Sequence, residues 1–245
     1  MSGLEPVLLL TGASRGIGHA TVKRFSDAGW RVLTISRQKF DPRCPWKGGA
    51  ANHIQLDLAD IEAIPEALAR VREIAGGRLS ALINNAAISP KHSGGGKIHA
   101  LEMGYRDWLT VFNVNFFAPL ALVQGLRAEL IESRGSVVNM TSIVGSRVHP
   151  FASAAYATSK AALAALTREL AADFGRAGVR VNAVSPGEIE TAILSAGTQE
   201  IVERVIPLRR LGQTREVADL LFFLCSDQAQ YINGSEVHID GGQRV

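Results

Sequence analysis

Cysteine, aromatic residues and one-sided charge are all scarce in this chain, and each scarcity closes off a class of function. Two cysteines among 245 residues are too few for a disulfide framework. Cys44 stands in the proline-flanked stretch Asp41-Pro42-Arg43-Cys44-Pro45 and Cys225 in an apolar run, so both are expected as free thiols in a reducing compartment. The six histidines are dispersed, with no HExxH pair, and no metal site is expected. Lys+Arg 26 against Asp+Glu 23 leaves a net charge of only +3, and aromatics make up 6% of the chain. A nucleic-acid surface needs denser basic clustering interleaved with aromatics, so no nucleic-acid partner is expected. The densest basic group, Arg204, Arg209, Arg210 and Arg215, reads as a solvated face. The apolar run Val7 to Leu10 is far shorter than a membrane span, and its flanks do not suit a signal peptide. The expectation is a cytoplasmic protein without a membrane partner.

What is present is an ordinary globular composition, 47% hydrophobic and 20% charged, of a length that suits one large α/β domain spanning residues 1–245. Short β-branched or apolar runs alternate with amphipathic stretches. Strands are predicted at Val7–Thr11, Arg31–Ser36, His53–Leu56, Ala81–Asn84, Ser136–Met140, Arg180–Val184 and Glu236–Ile239. Helices are predicted at Ile17–Ala28, Ile61–Ala75, Tyr105–Ser133, Ala154–Phe174 and Arg215–Ser226. Repeated βαβ units with right-handed crossovers give a single-domain, Rossmann-like doubly wound fold, a parallel seven-stranded sheet with helices on both faces. Two segments break the alternation: 89–100, with Ser93-Gly94-Gly95-Gly96, and 188–211. Both leave C-terminal strand ends, where open α/β sheets bind ligands, and the second is expected to form a substrate flap.

The first strand runs into Thr11-Gly12-Ala13-Ser14-Arg15-Gly16-Ile17-Gly18 and straight into a helix. Glycines there let the backbone turn tightly and approach a diphosphate, and the helix N-terminus offers free N–H groups. The second strand ends Thr34-Ile35-Ser36-Arg37, without the carboxylate that commonly binds the ribose hydroxyls of NAD. Arg37, helped by Arg15, suits the 2′-phosphate of NADP instead. Asp57, after the third strand, is either a partner for the adenine amino group or a loop cap.

The segment Tyr156-Ala157-Thr158-Ser159-Lys160 opens an alanine-rich helix, and i, i+4 spacing sets Tyr156 and Lys160 on one face. A free phenol titrates near 10, so forming phenolate at neutral pH costs about 4 kcal/mol, which a nearby ammonium reduces. Upstream, Ser136–Met140 ends in Thr141-Ser142, and Asn113-Val114-Asn115 puts amides in an apolar helix, where they must be satisfied.

With these motifs in order, joined by Asn84-Asn85-Ala86-Ala87, Pro186-Gly187-Glu188-Ile189-Glu190-Thr191 and Asp240-Gly241-Gly242, the chain resembles the short-chain dehydrogenase/reductase family, in its branch of about 250 residues, over nearly its whole length. The resemblance implies hydride transfer between a nicotinamide cofactor and an alcohol or carbonyl substrate, with NADP(H) favoured and NAD(H) the alternative. It implies Tyr156 as acid/base and Lys160 as the group that lowers its pKa and holds the nicotinamide ribose. Ser142 would orient the substrate oxygen, while Asn115 would hold the active-site helix and a water leading to Lys160. Gly12, Ser14, Arg15, Gly16, Ile17 and Gly18 would line the diphosphate and adenosine site. Arg37, Asp57, Leu58, Asn84 and Ala86 would lie on the adenosine side, and Pro186, Gly187, Ile189 and Thr191 around the nicotinamide. It further implies a homotetramer, or a homodimer, joined through the Tyr105–Ser133 and Ala154–Phe174 helices. Two departures from the family pattern stand out. Ala87 replaces a usual glycine, and the Ser142-to-Tyr156 connection is one residue longer, which leaves Thr141 as a competitor for the hydroxyl role. A cofactor-binding regulator without activity, and a dehydratase or epimerase on the same scaffold, remain the alternative classes.

Overall fold

The computed structural model describes residues 5–42, 44, 46, 48–191 and 197–245. Its centre is strand β1 (Val7–Thr11), buried at every position. Leu8 and Leu10 enter one apolar cluster while Val7 and Leu9 enter another, because successive side chains of a strand point to opposite faces. A strand that must bury both faces needs a helical layer on each side. One layer is α1 (Gly16–Asp27) with α8 (Thr214–Cys225), which pack on each other through residues such as Val22, Phe25, Leu221 and Leu224. The other contains α2 (Ile64–Ala75), α4 (Ala118–Gly125) and α6 (Ala154–Gly175), with Leu68, Val71, Leu122, Leu170 and Phe174 against Leu9, Leu33 and Val137.

The remaining strands of the main sheet are β2 (Arg31–Ser36), β3 (His53–Gln55), β4 (Ala81–Asn84), β5 (Ser136–Met140), β6 (Arg180–Pro186) and β9 (Glu236–Ile239). The order is β3-β2-β1-β4-β5-β6-β9, parallel throughout, which is the expected seven-stranded doubly wound sheet. Chain order reverses between β1 and β4. The loops leaving their C-terminal ends diverge there and open a crevice, and the candidate site lies in it.

Two helix expectations are corrected in detail. The predicted helix Tyr105–Ser133 is broken into α3 (Tyr105–Phe112), a π-helical turn (Asn113–Phe117), α4 and α5 (Arg127–Glu132). The π turn holds Asn115, whose amide bonds outside its own helix, and a wide turn accommodates that diversion. The break after α4 follows from Gly125: a Cβ there would lie 2.2 Å from Leu68 Cδ1, and its carbonyl accepts from the Arg72 guanidinium. The predicted helix Ile61–Ala75 begins as one 3-10 turn (Ile61–Ala63), and α2 proper starts at Ile64 with Pro65 in its first turn, where proline's missing N–H costs nothing. The described residues of the segment 188–211 include regular structure. Strand β7 (Ile189–Glu190) pairs with β8 (Gly212–Gln213), and α7 (Thr198–Arg204) lies between them; positions 192–196 lie outside the described residues.

Among the described residues, Tyr105–Gly125 is long and apolar enough to cross a membrane by length and composition alone. Here the stretch packs against α2 and α6 as part of one helical layer.

A buried amide ladder ties the sheet to α6. Asn84 Nδ2 donates to Asn139 Oδ1 at 2.9 Å, and Asn139 Nδ2 donates to Thr167 Oγ1 at 2.9 Å. Replacing Asn139 by Ala strands a buried donor on Asn84 and costs about 1–3 kcal/mol. Urea denaturation should show that loss; an unchanged midpoint would mean the ladder contributes nothing.

Candidate active site

The glycine turn is built by close approach rather than by side chains. Gly12 has φ +71°, and a Cβ on it would stand 2.8 Å from Ala86 Cα. A Cβ on Gly18 would stand 2.1 Å from the Gly12 carbonyl oxygen, so α1 starts against the turn itself. Thr11 locks the neighbouring strand end: its Oγ1 accepts from the backbone N–H groups of Asn85 and Ala86, both at 3.0 Å. Asn85 answers through Nδ2, which donates to the Thr11 and Gly12 carbonyls at 3.0 Å. The start of α1 has no side-chain cap and no acidic residue, leaving its first N–H groups directed toward the crevice. An anionic diphosphate fits this cradle.

The crevice is a cleft of about 740 Å³ lined by Gly12, Ser14, Arg15, Gly16, Ile17, Gly18, Arg37, Asp57, Leu58, Ala86 and Thr191, all expected at the cofactor site. Arg15 and Arg37 are exposed at its edge. Asp57 lines the cleft, but its Oδ1 accepts from Ala59 N at 3.0 Å, so it also caps the loop. Asn84 is the exception. It is buried in the amide ladder and lies away from both clefts, and the next residue, Asn85, takes the lining position. A strand alternates its faces, so one residue decides between core and cleft. The adenosine end also includes Phe40, Asp41 and Trp46, which sequence reasoning missed because they sit in an irregular loop without periodicity.

A second cleft, about 240 Å³, continues from the first through Ile17, Asn85, Ala87 and Thr191. It gathers Ser142, Tyr156 and Lys160 with Pro186, Gly187 and Ile189. Ala87 is exposed and is not among the described residues with positive φ, so this position does not call for glycine on backbone grounds.

Lys160 is 2% exposed, and its Nζ donates to the Met140 carbonyl at 2.5 Å. The ammonium stands 5.6 Å from the centre of the Tyr156 ring. Burial brings Lys160 down to about 7, against an ordinary value of 10.5. Burial also pushes the Tyr156 phenol above its ordinary value; hydrogen bonding to Ser142 opposes the rise, and the Glu188 carboxylate adds to it. The free site therefore favours a neutral phenol beside an amine that titrates near neutrality.

Helix α6 starts at a Ser153 cap, whose hydroxyl accepts from Tyr156 N at 3.4 Å, fixing the first turn that carries the tyrosine. Asn115 is fully buried, accepts from Ile88 N at 2.9 Å, and donates to Ile88 O and Ser159 Oγ, each at 3.0 Å. It lines neither cleft and instead ties the Asn85–Ile88 segment to α6. Thr141 also lines this cleft, with its Oγ1 hydrogen engaged toward the Val184 carbonyl at 3.1 Å and Glu236 Oε1 at 2.6 Å. Ser142 caps the following 3-10 turn only weakly, at 3.5 Å from Val144 N, and remains on the cleft. Glu188 also lines this cleft; only its place after Pro186-Gly187 pointed to it in the sequence.

Among the described residues, no group of three or more His, Cys, Asp or Glu could hold a metal ion.

Comparison with known proteins shows the family to which the chain belongs. Residues 12–244 match a family model described as enoyl-(acyl carrier protein) reductase. The chain is 54% identical to Protein FixR of Bradyrhizobium diazoefficiens, covering 99% of this chain and 88% of that protein. It is 33% identical to the 3-oxoacyl-[acyl-carrier-protein] reductase FabG of Aquifex aeolicus, over 96% of both. Among solved structures, a Brucella ovis oxidoreductase of the short-chain dehydrogenase/reductase family, in complex with a partially ordered NAD, superposes with a TM-score of 0.84 at 55% identity. That match covers 96% of this chain and 100% of the other.

The buried ammonium predicts a pH effect. Between about 7 and 10.5 the unfolded chain holds a proton at Lys160 that the folded chain has released. This group therefore raises stability as pH rises through that window, and its contribution is lowest at and below neutrality. Replacing Lys160 by Met should flatten the rise in urea midpoint of nucleotide-free protein between pH 7 and 9. Equal slopes in the two proteins would show that the ammonium is not desolvated.

Proposed function

The chain belongs to the short-chain dehydrogenase/reductase family, and on that premise we propose that it moves hydride between NADP(H) and an alcohol or carbonyl substrate, with Tyr156 as acid/base. The observation that carries this reading is the convergence of Ser142, Tyr156 and Lys160 on one small cleft that continues into the glycine-turn cleft. Nicotinamide, when bound, supplies the hydride chemistry. The chain has one proton to manage. Tyr156 holds it at the phenolic oxygen and gives it to a carbonyl oxygen, or takes it from an alcohol. Ser142, hydrogen-bonded to the Tyr156 phenol in the free site, orients the same oxygen. Lys160 lowers the cost of phenolate and offers its ammonium to ribose hydroxyls, and Asn115 keeps α6 and the Ile88 segment in register. Arg15 and Arg37 at the adenosine end favour a 2′-phosphate. Two observations favour the second reading, NAD(H). Asp41 brings a carboxylate to the same end of the cleft, and the Brucella ovis structure is a complex with NAD.

Assembly as a homotetramer or homodimer is supported by an apolar face on α3 and the π turn. Tyr105 is 77% exposed there, with Leu109 and Phe117 beside it. The cytoplasm is the proposed location, with a small-molecule substrate and neither nucleic acid nor membrane as partner.

A panel of ketones and aldehydes assayed with NADPH and NADH in parallel tests the reading. Oxidation of NADPH in preference to NADH is expected, and Arg37→Ala should narrow the preference. Tyr156→Phe should lower turnover by at least about 10²-fold while nucleotide still binds. Near-normal turnover in that variant would remove Tyr156 from the mechanism.

A further inference from the structure

The cleft that holds Ser142 and Tyr156 also contains a carboxylate that the proton chemistry does not need. Glu188 is fixed on both sides of its backbone. Its N–H donates to Gln243 Oε1 at 3.1 Å, and its carbonyl accepts from Gly212 N at 3.0 Å. Gln243 is itself buried, and its backbone carbonyl accepts from the Arg147 guanidinium. The preceding Gly187 permits this seating, since a Cβ there would lie 2.6 Å from Gln243 Oε1. The side chain is 23% exposed, and its Oε1 stands 3.0 Å from Nε2 of His149, whose own side chain is 8% exposed. His149 is steadied in turn by Lys97, which donates to its carbonyl at 3.1 Å, and by an edge contact with Phe151. The 3.0 Å approach of His149 Nε2 is an ion-pair distance without hydrogen-bond geometry, so among the described residues both carboxylate oxygens of Glu188 remain available as acceptors on the cleft.

A negative charge here works against the reaction, because it disfavours phenolate on Tyr156. We propose that Glu188, positioned by His149, reads the substrate. It accepts a hydrogen bond from a hydroxyl or ammonium group next to the reacting carbon and turns away substrates with a carboxylate at that place. The inference rests on the hydride-transfer reading of the same cleft. A site built to bond a donor rejects the analogue that lacks it, because the acceptor is then left desolvated and unpaired. An anionic substituent meets direct repulsion as well. A donor-bearing substrate quenches the charge beside Tyr156 as it binds, so recognition and proton transfer favour the same molecule.

The test uses one ring with four substituent patterns: cyclohexanol, cyclohexane-1,2-diol, 2-aminocyclohexanol and 2-hydroxycyclohexanecarboxylate, each oxidised by the full-length protein with NADP+ or NAD+. The diol and the amino alcohol should exceed cyclohexanol in kcat/KM by about 10-fold or more, as a bond to a charged acceptor allows, and the carboxylate should rank last. Glu188→Gln, which keeps size and an acceptor, should narrow the advantage of the amino alcohol over cyclohexanol and raise the carboxylate. Glu188→Ala should bring the diol and cyclohexanol to comparable kcat/KM. Equal use of cyclohexanol and the diol by the wild type, or an unchanged ranking in Glu188→Ala, would overturn the proposal. Calorimetric binding of the diol to nucleotide-loaded protein separates this failure from the other. Diol binding that depends on Glu188 without turnover would count against hydride transfer and leave the recognition role standing. Absence of both binding and turnover would overturn the recognition role.

Discussion

A buried amine that makes no ion pair among the described residues governs this site. Among the described residues Lys160 Nζ donates to the Met140 carbonyl and stands 5.6 Å from the centre of the Tyr156 ring, and burial draws both groups toward their neutral forms. A stable fold has no use for such an ammonium, since burying a charge costs far more than a hydrogen bond to one carbonyl returns. The arrangement makes sense where charge is needed only when ligands arrive. A neutral phenol and a nearly neutral amine form a resting pair that ligand binding can polarise.

The scaffold converges on that pair from several directions. Strand β5 ends at the Met140 carbonyl and hands on to Ser142, while α6 supplies Tyr156 and Lys160 one turn apart. Asn115 ties α6 to the Ile88 segment, and Thr11 ties the start of that segment to β1. The route from glycine turn to tyrosine therefore runs through directional hydrogen bonds rather than through apolar packing alone. Apolar layers on both faces of the sheet hold the strands; the polar bonds at its C-terminal edge set where the clefts open.

Much of this was legible in the residues, for identifiable reasons. A strand buried on both faces leaves a continuous apolar run, and five of the predicted strands coincide with those observed, β1 and β5 among them. The i, i+4 pair of Tyr156 and Lys160 and the glycine turn have local geometry, so their spacing carries their arrangement. The two amides of Asn84-Asn85 look alike in sequence, and only strand phase and the partner Asn139 decide that Asn84 turns inward while Asn85 lines the clefts. The π turn at Asn115 was invisible because it results from a bond to Ile88, 27 positions away. Glu188 escaped for a similar reason: its seat is made by Gln243 and Gly212, and its partner His149 lies in another loop. Local periodicity has no term for contacts of that span.

The central claim, that burial keeps Tyr156 neutral until a cationic nicotinamide favours its ionisation, can be read from tyrosine ultraviolet absorption. The chain has three tyrosines; Tyr105 and Tyr231 are exposed, so subtracting the titration of Tyr156→Phe from that of the wild type isolates one phenol. In the free protein the difference should titrate above the ordinary value of 10.0. With saturating oxidised nucleotide its midpoint should fall by about 1–3 pH units, as a nearby positive charge requires. A midpoint that is the same with and without nucleotide would contradict the account.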